Sequence, residues 1–186
     1  MSRTAATWKS SIGRSICLTS AALGVWALGC AGGGPSAEEA AAQYLALERA
    51  LEAAPALEST GGLVVRLAFG ADADLDLYVT DAGHETVYFG NSPSATGGEL
   101  LADLRCDAPV PRIETVRFEH RRAGGVRVGV DAPERCAGGL RAVPFVVELR
   151  AGTELTLRRG LAIPGRFDVI VLETVVSGES GEDGPT

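Results

Sequence analysis

Two neighbouring stretches decide the fold, Leu63-Val-Val-Arg-Leu-Ala-Phe69 and Leu75-Asp-Leu-Tyr-Val-Thr80. In the first, large apolar residues occupy every second position, and in the second leucine and valine alternate with polar residues. A period of two places successive side chains on opposite faces of a β-strand. Each stretch therefore predicts a strand with one face turned towards a hydrophobic core.

The same period continues along the chain, in runs separated by glycine-rich turns such as Ala123-Gly-Gly125. These later runs cover Val126–Val130, Phe145–Leu149, Leu155–Leu157 and Phe167–Val171. About seven or eight short strands with no helical period between them predict an all-β fold, an antiparallel β-sandwich over residues 61–176. The polar, acidic residues 177–186 predict a disordered tail.

One short helix is predicted ahead of the strands. Ser36 and Glu39 have the spacing of a capping box, and Pro55 marks the end, so the helix is expected over about residues 37–54. Its apolar positions share one face, which suggests a spacer that packs against the sandwich; they are Ala40, Tyr44, Leu47 and Leu51. The preceding Gly32–Pro35 predicts a flexible tether.

The N-terminal segment has the layout of an export signal. Three basic residues precede the uncharged stretch Ile16–Leu28, which is too short to span a bilayer as a helix. Trp26-Ala-Leu-Gly-Cys30 then resembles the lipobox of bacterial lipoproteins, whose cysteine is lipidated and becomes the first mature residue. The resemblance implies a signal peptide over residues 1–29 and a lipid anchor on Cys30. The alternative is an ordinary secretory signal whose cysteine later forms a disulfide.

Lipoprotein resemblance also implies a location, the bacterial cell envelope. Ala31 follows Cys30 in place of the aspartate associated with inner-membrane retention, which favours the outer membrane. Residues 1–29 contain three of the 17 basic groups and none of the 24 acidic ones, so the remaining chain carries a formal charge of −10. That charge repels nucleic acid and anionic lipid. Lys9 is the only lysine, so the mature chain cannot use lysine chemistry.

The cysteines are expected to have separate roles. Cys17 lies in the signal segment and Cys30 receives the lipid, which leaves Cys106 and Cys136 in the predicted sandwich. In an oxidising compartment these two most simply form a disulfide. A metal or redox pair is the alternative, but the chain has no C-x-x-C spacing.

Three segments resemble a family of uncharacterised secreted domains. They are Asp72-Ala-Asp-Leu-Asp-Leu-Tyr-Val-Thr-Asp81, Tyr88-Phe-Gly-Asn91 and Gly97-Gly-Glu-Leu100. They match a D-x-D-L-D-L-x-V-T-D-P-x-G hairpin followed by Y-x-G-N and G-G-x-L, and are more distantly similar to bacterial pre-peptidase C-terminal domains. The resemblance implies a β-sandwich. This chain departs from it by carrying Ala82-Gly-His84 at the turn, and Asp103 and Asp107 around Cys106 where many such domains have a tight acidic cluster.

The aspartates Asp72, Asp74 and Asp76 are spaced by two and should share one face of a strand. Our preferred interpretation is a solvated face on which they accept hydrogen bonds from backbone N–H groups of the preceding turn. The alternative is a calcium site, because calcium takes six to eight oxygen ligands and this row offers three carboxylates. Calcium is the only cofactor that the sequence suggests.

Catalytic patterns are weak. His84 and His120 have no partner at metal-ligand spacing, and Ser92 and Ser94 lie in a loop without a recognisable base. The sequence therefore predicts a non-catalytic envelope lipoprotein whose sandwich binds or scaffolds an envelope protein or polysaccharide. Two alternatives stay open. One is a calcium-dependent carbohydrate-binding module that also uses the neighbouring Tyr78 and Tyr88, and the other is a small hydrolase.

Overall fold

The computed structural model describes residues 34–55, 57, 62–136, 142–165 and 172–177. Helix α1 (Ala37–Ala53) precedes nine described strands: β1 (Leu63–Phe69), β2 (Ala73–Thr80), β3 (Thr86–Val87), β4 (Gly98–Leu100), β5 (Arg112–Phe118), β6 (Gly124–Arg135), β7 (Val143–Ala151), β8 (Glu154–Ala162) and β9 (Leu172–Val176). The predictions for the signal peptide, Cys30, most of the tether and tail, and the run Phe167–Val171 concern residues outside the described part.

The strands form two antiparallel sheets, ordered β4-β5-β1-β7-β8 and β3-β2-β6-β9. Alternate residues of β1 and β2 point into one shared hydrophobic core, and these are Leu63, Val65, Leu67, Phe69, Leu75, Leu77 and Val79. Burial of such side chains is the main favourable term in folding. The predicted all-β antiparallel sandwich is confirmed, with nine described strands rather than seven or eight.

One central strand, β5, does not appear in the sequence prediction. Its inward positions begin with Arg112 and Glu114 and only then continue with Val116 and Phe118. Two buried charged residues therefore break the apolar alternation on which the prediction depends. Strands β3 and β4 were missed for a simpler reason, since two and three residues are too few to show a period.

The predicted helix is confirmed as α1. Ser36 Oγ accepts the Glu39 N–H at 3.2 Å, and the Glu39 carboxylate accepts the Ser36 N–H at 2.8 Å, which completes the capping box. Leu47 and Leu51 pack on Ala68 and Val146 at the outer face of the five-stranded sheet. The helix thus covers the second face of β1, and all seven residues of that strand are buried. No helix in the described part of the chain is long and apolar enough to cross a membrane.

The predicted disulfide is also present. Cys106 and Cys136 are bonded, with their Cα atoms 5.1 Å apart. Cys106 belongs to residues 101–111, the segment between β4 and β5 of one sheet, whereas Cys136 directly follows β6 of the other sheet. The bond therefore fastens the 101–111 segment across one end of the sandwich.

Candidate functional site

Asp81, at the end of the D-x-D-L-D-L motif, organises a turn. Its Oδ1 accepts the N–H of Gly83 at 2.9 Å and the N–H of Glu85 at 3.2 Å. His84 in this turn adopts a φ of 63°, in the left-handed region that favours glycine. Since the carboxylate is engaged with backbone, Asp81 has a structural role in the β2–β3 hairpin.

Glu85 and Asn91 fasten the loop that follows this hairpin. The Glu85 carboxylate accepts the N–H groups of Ala95 and Thr96 at 3.0 and 2.9 Å, and these bonds lower its pKa together with one from Asn91. Asn91 Nδ2 also donates to the carbonyl of Thr86 at 2.8 Å. The Y-x-G-N part of the motif therefore shapes a loop.

The loop serines are similarly occupied by backbone. Ser92 Oγ accepts the Leu100 N–H at 2.8 Å, and Ser94 Oγ accepts the Gly98 N–H at 2.9 Å. Both hydroxyls thus hold β4 against the preceding loop, which gives them a structural explanation that requires no catalytic base.

The aspartate row is divided by the fold. Asp74 and Asp76 lie on the face of β2 opposite the core residues, as predicted, but they are only 6% and 8% exposed. The prediction that they lie on a solvated face is therefore wrong. Asp72 precedes the strand and is exposed, so it does not share their surroundings. The disulfide joins the 101–111 segment to the end of β6. These two parts of the chain lie against Asp74 and Asp76 and shield them from solvent.

Asp74 and Asp76 open into a cavity of about 160 Å³. We call it the acidic cavity; its lining residues are Asp74, Asp76, Phe89, Asp103, Arg105, Pro133 and Glu134. Carboxylate oxygens of Asp76, Asp103 and Glu114 lie within 4.8 Å of one another. Oxygens of Asp74 and Glu134 also come within 4.8 Å of each other, beside the sulfur of Cys106. That sulfur is in the disulfide and is not available as a thiolate ligand.

Two structural devices bring these distant acids together. The pairing of β2 with β6 shifts between Asp74↔Glu134 and Asp76↔Asp131, so β6 carries one extra residue in a bulge. The disulfide then holds Asp103 and Glu134 close, because each lies within three residues of a bonded cysteine. Sequence reasoning did not assign Glu114 or Glu134 to the site. The predicted disulfide, two residues from Glu134, is the one signal that could have identified this residue.

Glu114 is a buried carboxylate between the two sheets. It is 1% exposed, and its two oxygens accept the N–H of Leu77 at 3.0 Å and the N–H of Leu104 at 2.9 Å. Strand β3 is short and pairs with β2 at Val79 and Thr80, so it does not reach the N–H of Leu77. The Glu114 carboxylate accepts that N–H in place of a neighbouring strand. Burial raises the pKa of Glu114 to about 8, although the two backbone hydrogen bonds lower it.

Repulsion between the acids adds to the effect of burial. The pKa of Asp76 is raised to about 6, first by burial and then by the charges of Asp74, Asp103 and Asp131. Burial and the Asp103 charge also raise the pKa of Asp74. Arg105 offsets part of this repulsion and donates to Asp103 at 3.1 and 3.2 Å, but it is largely exposed.

Asp74 has a further unusual property. Its Oδ1 is buried and accepts no hydrogen bond from any described residue. A buried acceptor without a partner costs roughly 1–3 kcal/mol, and more when it is charged. A ligand that binds to this oxygen would remove that cost.

Aromatic side chains flank the acidic cavity. Tyr78, two residues after Asp76 on β2, stacks on Tyr88 with 5.2 Å between ring centroids and 16° between ring planes. Tyr88 in turn meets Phe89 edge-to-face at 5.4 Å. Phe89 is 51% exposed and also lines the cavity, so an apolar platform lies directly beside the carboxylates.

Without divalent cations, the free energy of unfolding should decrease between about pH 5 and pH 8.5. Asp76 and Glu114 bind their protons more tightly in the folded chain than at their ordinary pKa values of 3.8 and 4.5. Their stabilising contribution is complete below those values and is lost as pH rises through about 6 and about 8. The two pKa values set an upper bound of roughly 5 kcal/mol on this loss, and solvent screening reduces it. The charged groups that face Asp76 are Asp74, Asp103, Asp131 and Arg105.

Urea unfolding in chelator at a series of pH values measures this loss. Glu114→Gln removes the upper titration, so the slope between pH 7 and 8.5 should flatten in that variant. Equal stability of the unmodified chain at pH 5 and pH 8.5 would contradict the assignment.

A β-sandwich hosts many functions, so the fold alone does not identify what this protein does. The features that bear on its function are the acidic cavity and the sequence of the N-terminal segment. In comparisons with known proteins, no family model, curated protein or solved structure matches this chain.

Proposed function

We propose that this protein is a non-catalytic lipoprotein of the bacterial cell envelope whose β-sandwich binds or scaffolds an envelope protein or polysaccharide. The observation that carries the proposal is the disulfide between Cys106 and Cys136. Disulfides persist in oxidising compartments such as the periplasm, which supports export. Because the two sandwich cysteines are bonded to each other, neither is available to pair with Cys30. This favours Cys30 as a lipidation site.

The position of α1 fits a membrane-proximal domain. The first helical residue, Ala37, lies seven positions after Cys30. A chain of that length spans at most about 25 Å. The formal charge of −10 on the chain after residue 29 makes acyl chains a better membrane contact than the protein surface. The outer membrane is favoured over the inner one, because Ala31 follows the anchor cysteine.

Cys30→Ser should abolish incorporation of a palmitate analogue and either release the protein from membranes or leave its precursor uncleaved. The reason is that the thioether joining the acylated glyceryl group to the chain would form at the Cys30 sulfur. Metabolic labelling followed by membrane fractionation measures both effects. Cys17→Ser is the matched control, since it removes another cysteine of the same segment and should keep full labelling. Equal labelling of Cys30→Ser and the unmodified chain would refute the lipoprotein assignment.

One observation favours a second candidate function, a calcium-dependent carbohydrate-binding module. The rings of Tyr78, Tyr88 and Phe89 form an apolar platform beside the acidic cavity. Aromatic side chains combine a large apolar face with polar edges, which suits stacking against sugar rings. Retention on envelope polysaccharide that requires calcium and is lost in Phe89→Ala separates this candidate from a protein-binding scaffold.

A further inference from the structure

The spacing of oxygens in the acidic cavity matches the coordination sphere of a large divalent cation. Calcium binds oxygen ligands at 2.3–2.6 Å, so two of its ligands lie at most about 5 Å apart. The carboxylate oxygens of Asp76, Asp103 and Glu114 fall within 4.8 Å of one another. Three ligands from β2, the 101–111 segment and β5 could therefore surround one ion.

A second observation, independent of this clustering, also indicates a ligand. Asp74 is 6% exposed, lines the same cavity and has an Oδ1 that accepts no hydrogen bond from a described residue. Native proteins rarely bury an acceptor in this way unless a water or an ion satisfies it. A cation in the cavity would give this oxygen its partner.

The charges around the cavity are unbalanced. Five carboxyl groups converge there from four parts of the chain, namely Asp74, Asp76, Asp103, Glu114 and Glu134. Among the described residues that line the cavity, Arg105 is the one cationic side chain, and it is largely exposed. Arg112 lies nearby, but its guanidinium donates to backbone carbonyls. A divalent cation would offset the repulsion among these carboxylates that one exposed arginine does not neutralise.

The donor set selects the type of ion. All available ligands are carboxylate oxygens, because Cys106 is in the disulfide and no histidine lines the cavity among the described residues. Hard oxygen donors favour calcium or magnesium over zinc. Magnesium requires a tight octahedron at 2.0–2.1 Å, whereas calcium accepts six to eight ligands in irregular geometry. A cavity of about 160 Å³ also leaves room for water ligands.

We propose that the acidic cavity is a calcium site in which Asp76, Asp103 and Glu114 bind one Ca²⁺, and Asp74, which lines the same cavity, contacts the ion or one of its water ligands. Asp72 is not part of this site. The site does not involve Cys30, so the lipid anchor and the calcium site can be tested independently.

Terbium luminescence tests the site directly. Tyr78 lies two residues from Asp76 on the same face of β2, so it should sensitise a Tb³⁺ ion in the cavity. We expect tyrosine-excited Tb³⁺ emission from the full-length protein in detergent after treatment with chelator. Ca²⁺ should displace the Tb³⁺ at concentrations at least tenfold lower than Mg²⁺. Saturating Ca²⁺ should also raise Tm by about 5 °C or more, because it binds only the folded state.

A pair of substitutions makes the test specific. Asp74→Asn should weaken Ca²⁺ displacement of Tb³⁺ at least tenfold and remove most of the Tm shift. Asp72→Asn changes the same residue type two positions earlier, outside the cavity, and should behave like the unmodified chain. The tyrosine and far-ultraviolet spectra show whether Asp74→Asn is folded. If it is not, Asp103→Asn in the 101–111 segment is an independent variant for the same test.

Three results would overturn the site. These are the absence of sensitised emission, equal displacement by Ca²⁺ and Mg²⁺, and equal losses in Asp72→Asn and Asp74→Asn. Failure of the palmitate labelling described above would leave all three measurements unaffected, so the two proposals are distinguishable.

Discussion

Replacement of Arg112 by methionine should lower the free energy of unfolding by roughly 3–5 kcal/mol. The side chain is only 2% exposed, so its hydrogen bonds are shielded from water. Its guanidinium donates to four backbone carbonyls, those of Cys106, Gly70, Ala108 and Ala73, at 2.6, 2.8, 3.2 and 3.3 Å. Methionine fills a similar volume but leaves these acceptors buried without partners.

These contacts explain why a single side chain has so large an expected effect. Arg112 joins the turn between β1 and β2 to the 101–111 segment, and its guanidinium lies 5.8 Å from the centre of the Phe69 ring. Arg112→Lys should lose most of the same stability, because an ammonium group cannot reproduce the planar fork of donors.

Arg117→Met is the matched control, on the same strand. Arg117 is partly exposed and pairs with Glu99 at 3.2 Å, so its loss should cost less than about 1 kcal/mol. Urea unfolding of the three variants measures the difference. Comparable losses in Arg112→Met and Arg117→Met would contradict the role assigned to the buried guanidinium.

Loss of the Cys106–Cys136 disulfide should lower the free energy of unfolding by roughly 3–4 kcal/mol. The bond closes a loop between cysteines 30 residues apart, and its removal restores conformational freedom to the unfolded chain. Thermal scans with and without reductant measure the effect. Mass spectrometry of the unreduced protein should show it two hydrogens lighter than the dithiol form.

The double variant Cys106→Ser/Cys136→Ser serves as the control, since reductant should change its melting temperature no further. Its loss should also not add fully to that of Arg112→Met, because Arg112 donates to the carbonyl of Cys106. Two free thiols in protein isolated from the periplasm would contradict the pairing.

Sequence reasoning succeeded where local pattern and burial agree. The alternation in Leu63–Phe69, the capping box at Ser36 and the two sandwich cysteines led to β1, α1 and the disulfide. It failed at β5, because Arg112 and Glu114 occupy positions that a period-two pattern assigns to apolar residues. Those side chains satisfy backbone groups contributed by other parts of the fold, and a one-dimensional pattern cannot show this.

The candidate site was predictable only in part. The spacing correctly placed Asp74 and Asp76 on one face of β2, but their burial depends on the 101–111 segment and on the bulge in β6. Neither feature has a signature in the sequence around β2. Asp72 shows the limit of the period-two argument, because the strand begins one residue after it and the shared face does not extend that far.

The position of β1 has a consequence for how the chain folds. Although β1 comes first among the strands, it lies at the centre of its sheet, where Leu63 faces Phe118 of β5 on one side and Ala151 of β7 on the other. Loop-closure entropy opposes such distant pairings until both partners are available, so β-sandwiches fold over milliseconds to seconds. The nascent chain can therefore pair one edge of β1 only after β5 has been synthesised, and the other edge only after β7. If the chain is exported as we propose, this late assembly would follow translocation, because the strands that complete the sheet around β1 come later in the sequence.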